Sequence, residues 1–282
     1  EPAPRADRVM LARRLHFDLL GLPPSSADVS AFVSDDCATA YEARVDRLLE
    51  SPHFGERMAI YWLDVVRYAD SNGYHSDEPR QVAPYRDYVI RAFNSNKPWD
   101  EFLVEQLAGD ELLTPPYQDL GPDEADRLIA TGFLRMSPDG TSGSTLDQNV
   151  ARNQAVSEVI KVVSTSLLGL SVGCAQCHPH RYDPITHTDY YRLRALFEPA
   201  YNWKNWRDPG ARLVSQWSEQ TCQLAEEIDR QVTELVGKRD AELDAAVAKV
   251  IEQRIAGLPA EVREQARSAR ETAEKDRSDE QK

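Results

Sequence analysis

Gly173-Cys174-Ala175-Gln176-Cys177-His178-Pro179-His180-Arg181-Tyr182-Asp183-Pro184 is the stretch on which the reading of this sequence turns. Its centre is Cys-x-x-Cys-His, the attachment pattern of a c-type haem. Two thiols add across the two vinyl groups of the porphyrin, so they must sit on one side of it at a fixed separation. The His directly after the second Cys is then held under the iron as the proximal ligand. The pattern assigns Cys174 and Cys177 to the thioethers and His178 to the metal, and it predicts one covalent haem c. Three other readings compete. A redox Cys-x-x-Cys wants a thioredoxin-like strand–helix setting and has no use for the following His. A zinc site wants a second pair of ligands at similar spacing, whereas Cys37 and Cys222 are single residues far along the chain. The last is a chance occurrence in a chain with four Cys.

The residues around the motif define the rest of a haem site. Pro179 disfavours helical geometry at His178, so the loop is expected to be extended after the ligand and helical only before it. His180 is two residues on, and extended chain of that length reaches only about 7 Å. That is too short to carry an imidazole around the porphyrin edge, so His180 is read as a neighbour of a haem propionate. Arg181 is the natural propionate partner, because guanidinium pairs well with carboxylate. The sixth iron position is open. Met136, in a Gly-rich loop, is a soft axial candidate or else a gap-filling core Met. His75, in a polar loop, would give bis-His coordination. His16 and His53 read as structural and His187 as a surface residue. A vacant sixth position is the remaining alternative and would favour ligand binding or peroxide chemistry.

The chain has 282 residues, enough for one large domain or two smaller ones. With 33 basic and 47 acidic side chains its net charge is −14. Such a surface argues against nucleic acid and against an anionic membrane, and favours solubility or docking to a basic partner. The mean hydropathy of −0.56 is consistent with a core plus a polar appendage. The longest apolar run, residues 159–174, is interrupted by Lys161, Ser164, Thr165 and Ser166, so no membrane span is expected. The sequence begins at Glu1 without Met and ends in mid-charge at Glu280-Gln281-Lys282; both ends read as cuts in a longer polypeptide. Haem c is attached outside the cytoplasm, so an export signal and an extracytoplasmic location, periplasmic or at the cell surface, are expected. Cys37 and Cys222 are either a disulfide or isolated residues.

Helical periodicity recurs along the chain, and strict alternation is scarce. Helices are predicted over 5–20, 27–33, 41–49, 54–68, from Pro84, over 100–107, 122–129, 150–168 and 186–197. Gly21-Leu22-Pro23-Pro24 and Ser51-Pro52-His53 punctuate them, and residues 131–143 read as a loop. Asp70 to Glu78 is a polar loop whose Gly and closing Glu are misplaced for a calcium-binding EF-hand, so it reads as a solvated turn. From Gln216 aromatics all but vanish. Leu224, Ile228, Val232, Leu235, Leu243 and Val247 recur at spacings of mostly three, four or seven until Gly257-Leu258-Pro259, and a second stretch runs to about Lys275. The prediction is a mainly α chain: an irregular helical haem-binding domain over 1–212, then a helical hairpin or the start of a coiled-coil arm over 213–282.

Several further stretches carry a family resemblance. They are Arg13-Arg14-Leu15-His16-Phe17-Asp18-Leu19-Leu20-Gly21-Leu22-Pro23-Pro24, Trp62-Leu63-Asp64, Arg67-Tyr68-Ala69-Asp70-Ser71-Asn72-Gly73-Tyr74, Pro84-Tyr85-Arg86-Asp87, Glu105-Gln106-Leu107-Ala108-Gly109-Asp110 and Ala130-Thr131-Gly132-Phe133. With the haem stretch ending Tyr182-Asp183-Pro184-Ile185, they resemble, in order over residues 5–206, the planctomycete cytochrome-c-like domain. The helical region after Gln216 is similar to an insertion seen in some members. The resemblance implies a large exported multidomain protein with further domains after Lys282, and haem c at Cys174, Cys177 and His178. It supplies no substrate, since the family's activity is unassigned. Pro179 stands where members usually carry Asp, so the resemblance does not extend to a carboxylate beside the proximal ligand. The leading functional expectation is an electron-transfer module serving a redox partner or another domain of the same polypeptide. The alternatives are a haem enzyme with an open iron acting on peroxide or a small oxidisable substrate, and an interaction scaffold in which haem is a structural staple.

Overall fold

Short polar caps, prolines and left-handed turns cut this chain into helices. The computed structural model describes residues 4–73, 77, 79–142, 147–215 and 217–271, and among them the fold is mainly α with no strand. Helix α1 (Arg8–Leu20) begins later than periodicity suggests, because the Asp7 carboxylate accepts the Met10 N–H at 2.7 Å. Gly21 closes it at φ 70°, a conformation that costs glycine nothing. Ser25 caps α2 (Ser26–Ser34), and α3 (Ala40–Leu49) follows. Pro52 was expected to break the chain and instead opens α4 (Pro52–Val65), in the first turn where its missing N–H has no intrahelical partner to lose. This helix stops short of Tyr68 because Arg67 takes φ 62° and sends its guanidinium to Glu158.

Helices α5 (Ala83–Asn94), α6 (Trp99–Ala108) and α7 (Pro122–Ala130) follow. Residues 131–143, read as loop, coil into short 3-10 turns at Thr131–Arg135 and Gly140–Ser142. The Asp147 side chain caps α8 (Gln148–Leu167), accepting the Asn149 N–H at 2.8 Å. The chain reaches α9 (His187–Tyr201) through a capping box: the Thr186 hydroxyl accepts the Asp189 N–H, and Asp189 accepts the Thr186 N–H. Helix α9 passes Pro199 because Tyr201 is drawn into the core, where its hydroxyl donates to the Leu134 carbonyl.

The core lies between α4, α5, α6 and α8 and is aromatic. Trp62 sits 5.1 Å from Phe102 and 5.9 Å from Phe133, and Tyr88 stacks on Phe102 at 5.9 Å. The polar ends of these rings form a chain: Trp62 Nε1–H donates to Tyr85 Oη at 3.0 Å, and Tyr85 donates to Gln106 Oε1 at 2.7 Å. Burial pushes the Tyr85 and Tyr88 hydroxyls far above the usual phenol range, so both stay neutral donors. Helices α4 and α5 touch at Gly55, where a Cβ would lie 2.5 Å from the Ile90 carbonyl oxygen.

The chain divides into two units, Glu1–Gln216 and Trp217–Lys282. In the second, Ser218 caps the long helix α10 (Glu219–Ala256), and α11 (Ala260–Glu271) follows after Gly257-Leu258-Pro259. Arg267 of α11 meets Glu252 of α10 at 3.2 Å. The periodic side chains of α10 are largely exposed: Leu224 60%, Leu235 63%, Leu243 57%.

Candidate functional site

The Cys-x-x-Cys-His segment is carried by α8 and α9. After α8 the chain turns at Gly169 (φ 64°), and the Leu170 N–H returns to the Ser164 carbonyl at 3.0 Å. A 3-10 turn, Val172–Gln176, comes next. Val172 and Ala175 point into a small apolar cluster with Ile160 of α8 and Tyr190 of α9, packed against by Ile185, Leu193 and Phe197. A 3-10 turn places residues three apart on the same side. With Val172 and Ala175 buried, Cys174 and Cys177 are both exposed, and both are free thiols.

Gln176 anchors the segment from below. Its Nε2 donates to Ser157 Oγ on α8 at 3.0 Å, and its carbonyl accepts His187 Nε2–H from α9 at 2.9 Å. The Tyr190 hydroxyl reaches the same Ser157 at 3.3 Å. His187 is exposed, as its surface reading has it, and it also braces the motif, while its ring packs edge-on to Tyr191 at 4.9 Å. The capping box that positions α9 marks where this His enters, but spacing alone gives no sign of its target. The Thr186 hydroxyl hydrogen-bonded to Asp189 holds that carboxyl below the usual carboxylate range, and Arg192 adds to this.

His178 and His180 have opposite surroundings. His178 is exposed, and its Nδ1 lies 2.8 Å from the Pro179 carbonyl oxygen. A carbonyl only accepts, so Nδ1 carries the proton, and in the neutral ring Nε2 holds the lone pair. A metal-binding histidine takes this form, with one nitrogen tied to a backbone carbonyl and the other offered. The His180 side chain is 6% exposed. Its Nδ1 accepts the N–H groups of Asp183 at 2.9 Å and Tyr182 at 3.3 Å, which leaves Nε2–H to donate to Ser171 Oγ at 2.9 Å. The His180 N–H also bonds to the Ile185 carbonyl at 2.9 Å. This residue ties the two ends of the loop together. Both its nitrogens are committed within the loop.

The Arg181 guanidinium lies 5.8 Å over the Tyr182 ring and has no ion-pair partner among the described residues, so it remains available to an anion. Met136 is 2% exposed and belongs to the aromatic core cluster with Tyr85 and Phe133, which includes no residue of 171–187. The 3-10 turn at Thr131–Arg135 folds it inward, so the axial-ligand reading of Met136 gives way to the core reading. His75 lies outside the described residues. In the neighbouring polar loop, Asp77 accepts the Gly73 N–H at 3.1 Å and Asp70 accepts the Tyr68 hydroxyl at 2.6 Å. Burial, and then that bond, leaves the Tyr68 hydroxyl pushed up to about 12. These acids shape a turn.

Among the described residues no three His, Cys, Asp or Glu side chains gather into a metal-ion cluster. Two exposed thiols three residues apart, beside an exposed imidazole whose Nδ1 lies on the Pro179 carbonyl, are the donor types a covalently attached porphyrin would need. No helix among the described residues is long and apolar enough to cross a membrane. The family model PSCyt2, described as a protein of unknown function (DUF1549), matches residues 1–202. No curated protein and no solved structure matches.

Proposed function

The chain belongs to the PSCyt2 family, a planctomycete cytochrome-c-like family of unknown function, and from that premise we propose that its first unit is a covalent c-type haem domain. In this reading it serves as an extracytoplasmic electron-transfer module of a larger multidomain protein. The observation that carries the reading is the pairing of two exposed, unpartnered thiols with a His178 whose Nδ1–H is fixed on Pro179. When bound there, haem c supplies a one-electron iron couple. Cys174 and Cys177 hold the group, and His178 offers Nε2 to the metal. The Pro179 carbonyl fixes the ring's tautomer and angle. His180 and Gln176 keep the loop from shifting under the ligand, and Arg181 is placed to balance a propionate charge. The net charge of −14 suits a partner with a basic docking face.

The test is expression in an exporting host that carries a haem-attachment system, followed by acid–acetone extraction, which removes haem that is not covalently held. The extracted protein is expected to keep its haem absorbance. A colourless extracted protein contradicts the reading.

The enzyme reading stands as the second: among the described residues His180 and His187 are tied into the loop and Met136 lies in the core, which leaves His75, outside the described residues, or an open position as the sixth site. Carbon monoxide binding to the reduced protein and magnetic resonance of the oxidised protein separate the two. A low-spin iron inert to carbon monoxide supports electron transfer. A high-spin iron that binds it and turns over peroxide faster than free haem supports an enzyme.

A further inference from the structure

A cavity of about 450 Å³ lies in the first unit, walled by Asn72 and by segments around 79–85, 120–136 and 209–215. Its walls include no residue of 171–187, so it is separate from the motif and owes nothing to the haem reading. The volume is in the range of small-molecule sites, about 300–1,000 Å³. Its lining is mostly apolar, with side chains such as Leu128 and Met136, but it also includes Arg80, Arg135 and Arg212. Three guanidiniums around one apolar cavity are unexpected in a chain of net charge −14.

The three arginines are held differently. Arg212 is satisfied by the protein: it pairs with Asp139 at 2.5 Å and donates to the Arg207 carbonyl at 2.6 Å. Arg80 donates from Nη1 and Nη2 to the carbonyls of Arg135, Met136 and Ser137, which are neutral acceptors and leave its charge without an ion-pair partner among the described residues. Arg135 has neither. Its guanidinium lies 4.0 Å over the Tyr201 ring and 5.8 Å from Trp206, and it donates to no acceptor among the described residues. Burial pulls both Arg80 and Arg135 below the usual guanidinium value. Asp139 is the carboxylate whose charge acts on all three, and its own pKa is depressed: burial works against this, but Thr141 and Arg212 outweigh it. The wall therefore carries more positive charge than the protein neutralises, and a half-buried cation without a counterion is costly. A second group is also unpaired. Asn72 is 5% exposed, lines the same cavity, and its Oδ1 has no hydrogen-bond partner. A buried acceptor left in that state asks for a donor.

We propose that this cavity binds a small organic acid. Its carboxylate takes the planar fork of Arg135, its apolar body lies against Leu128 and Met136, and a hydroxyl donates to Asn72 Oδ1. Guanidinium recognises carboxylate in a two-point geometry, which favours it over a spherical ion. The apolar walls favour an anion with a hydrocarbon body over an inorganic one.

Titration calorimetry of the full chain decides it, with phenylacetate, 4-hydroxyphenylacetate and the uncharged 4-hydroxyphenylacetamide as probes. Both acids are expected to bind saturably, the hydroxylated one several-fold more tightly. The amide should bind about tenfold or more weakly, as expected for loss of a charged hydrogen bond. Arg135→Met, which keeps the side chain's bulk over Tyr201, should remove the preference for acid over amide. Leu128→Trp should block all three ligands while touching no arginine, and a cooperative melt confirms that it is folded. Equal affinity for acid and amide, an Arg135→Met protein that binds like the wild type, or no saturable binding of either acid overturns the proposal. Equal binding of the two acids overturns the role given to Asn72.

Discussion

The motif loop and the arginine-walled cavity belong to the same unit and are built in opposite ways. The loop is local. Ser171, His180, Tyr182 and Asp183 bond to one another, and the anchor beneath is a cluster of four buried side chains. Its thiols and His178 are exposed and belong to none of the buried clusters. The cavity is non-local. Its walls come from segments more than a hundred residues apart, and they include Tyr85 and Met136, which also belong to the main aromatic core. The difference teaches where each can be altered. Loop chemistry can be removed while the fold stands, whereas cavity chemistry is tied to the stability of the whole unit.

The sharpest way to break this contrast is Cys174→Ser with Cys177→Ser. All covalent haem is expected to be lost while the melting curve of the haem-free protein stays put; a collapsed fold would show that the thiols are structural after all. Phe102→Ala attacks the other region. The ring lies among Trp62, Tyr88 and Trp99, so its loss should cost about 3–5 kcal/mol by denaturant unfolding. The same change should weaken ligand uptake by the cavity. A smaller effect is expected for His180→Ala, which removes bonds to Ser171, Tyr182 and Asp183 whose exposed ends water can take up, at about 0.5–1.5 kcal/mol. Hydrogen exchange should speed up at Tyr182 and Asp183 and remain unchanged in α5 and α6; uniform loss of protection would mean the loop is not local.

The mildest effect concerns pH. His16 is buried, and its Nε2 lies 2.8 Å from Arg44 Nη2. Burial first, and the Arg44 charge second, hold it below its ordinary value of 6.5. The unfolded chain therefore binds more protons than the folded one below that pH. Stability should fall as pH drops through about 6.5 and level off below the folded value. Melting temperatures across about pH 5 to 7 should show this slope, and His16→Gln should flatten it. A slope that persists in the variant assigns it to another group.

Much of the helical frame could be read from the residues, because its signals are local. Helical spacing places most of the helices and Gly21 stops one, while the side-chain caps Asp7, Asp147 and Thr186 set starts that spacing did not give. Prolines were less legible. Pro52 starts a helix because Ser51 caps it, and Pro199 is tolerated because the buried Tyr201 holds the last turn in place. The exposed stripe of α10 is a reminder that helical spacing identifies a face without saying what covers it. The thiols and His178 were visible from spacing. The task of His180 was not, since it depends on the chain doubling back to present two N–H groups. Met136 stood open between an axial ligand and a core residue, and the 3-10 turn that buries it decides for the core. The cavity left no sequence signal, because no single segment contains its arginines and Asn72 together.

The central claim is a covalent bond between this chain and one porphyrin, and the most direct measurement is the intact mass of the exported, matured wild-type protein. The account predicts an increment of one haem per chain, absent when Cys174 and Cys177 are replaced. A wild-type chain at its unmodified mass, matured beside a control cytochrome that does acquire haem, would contradict it.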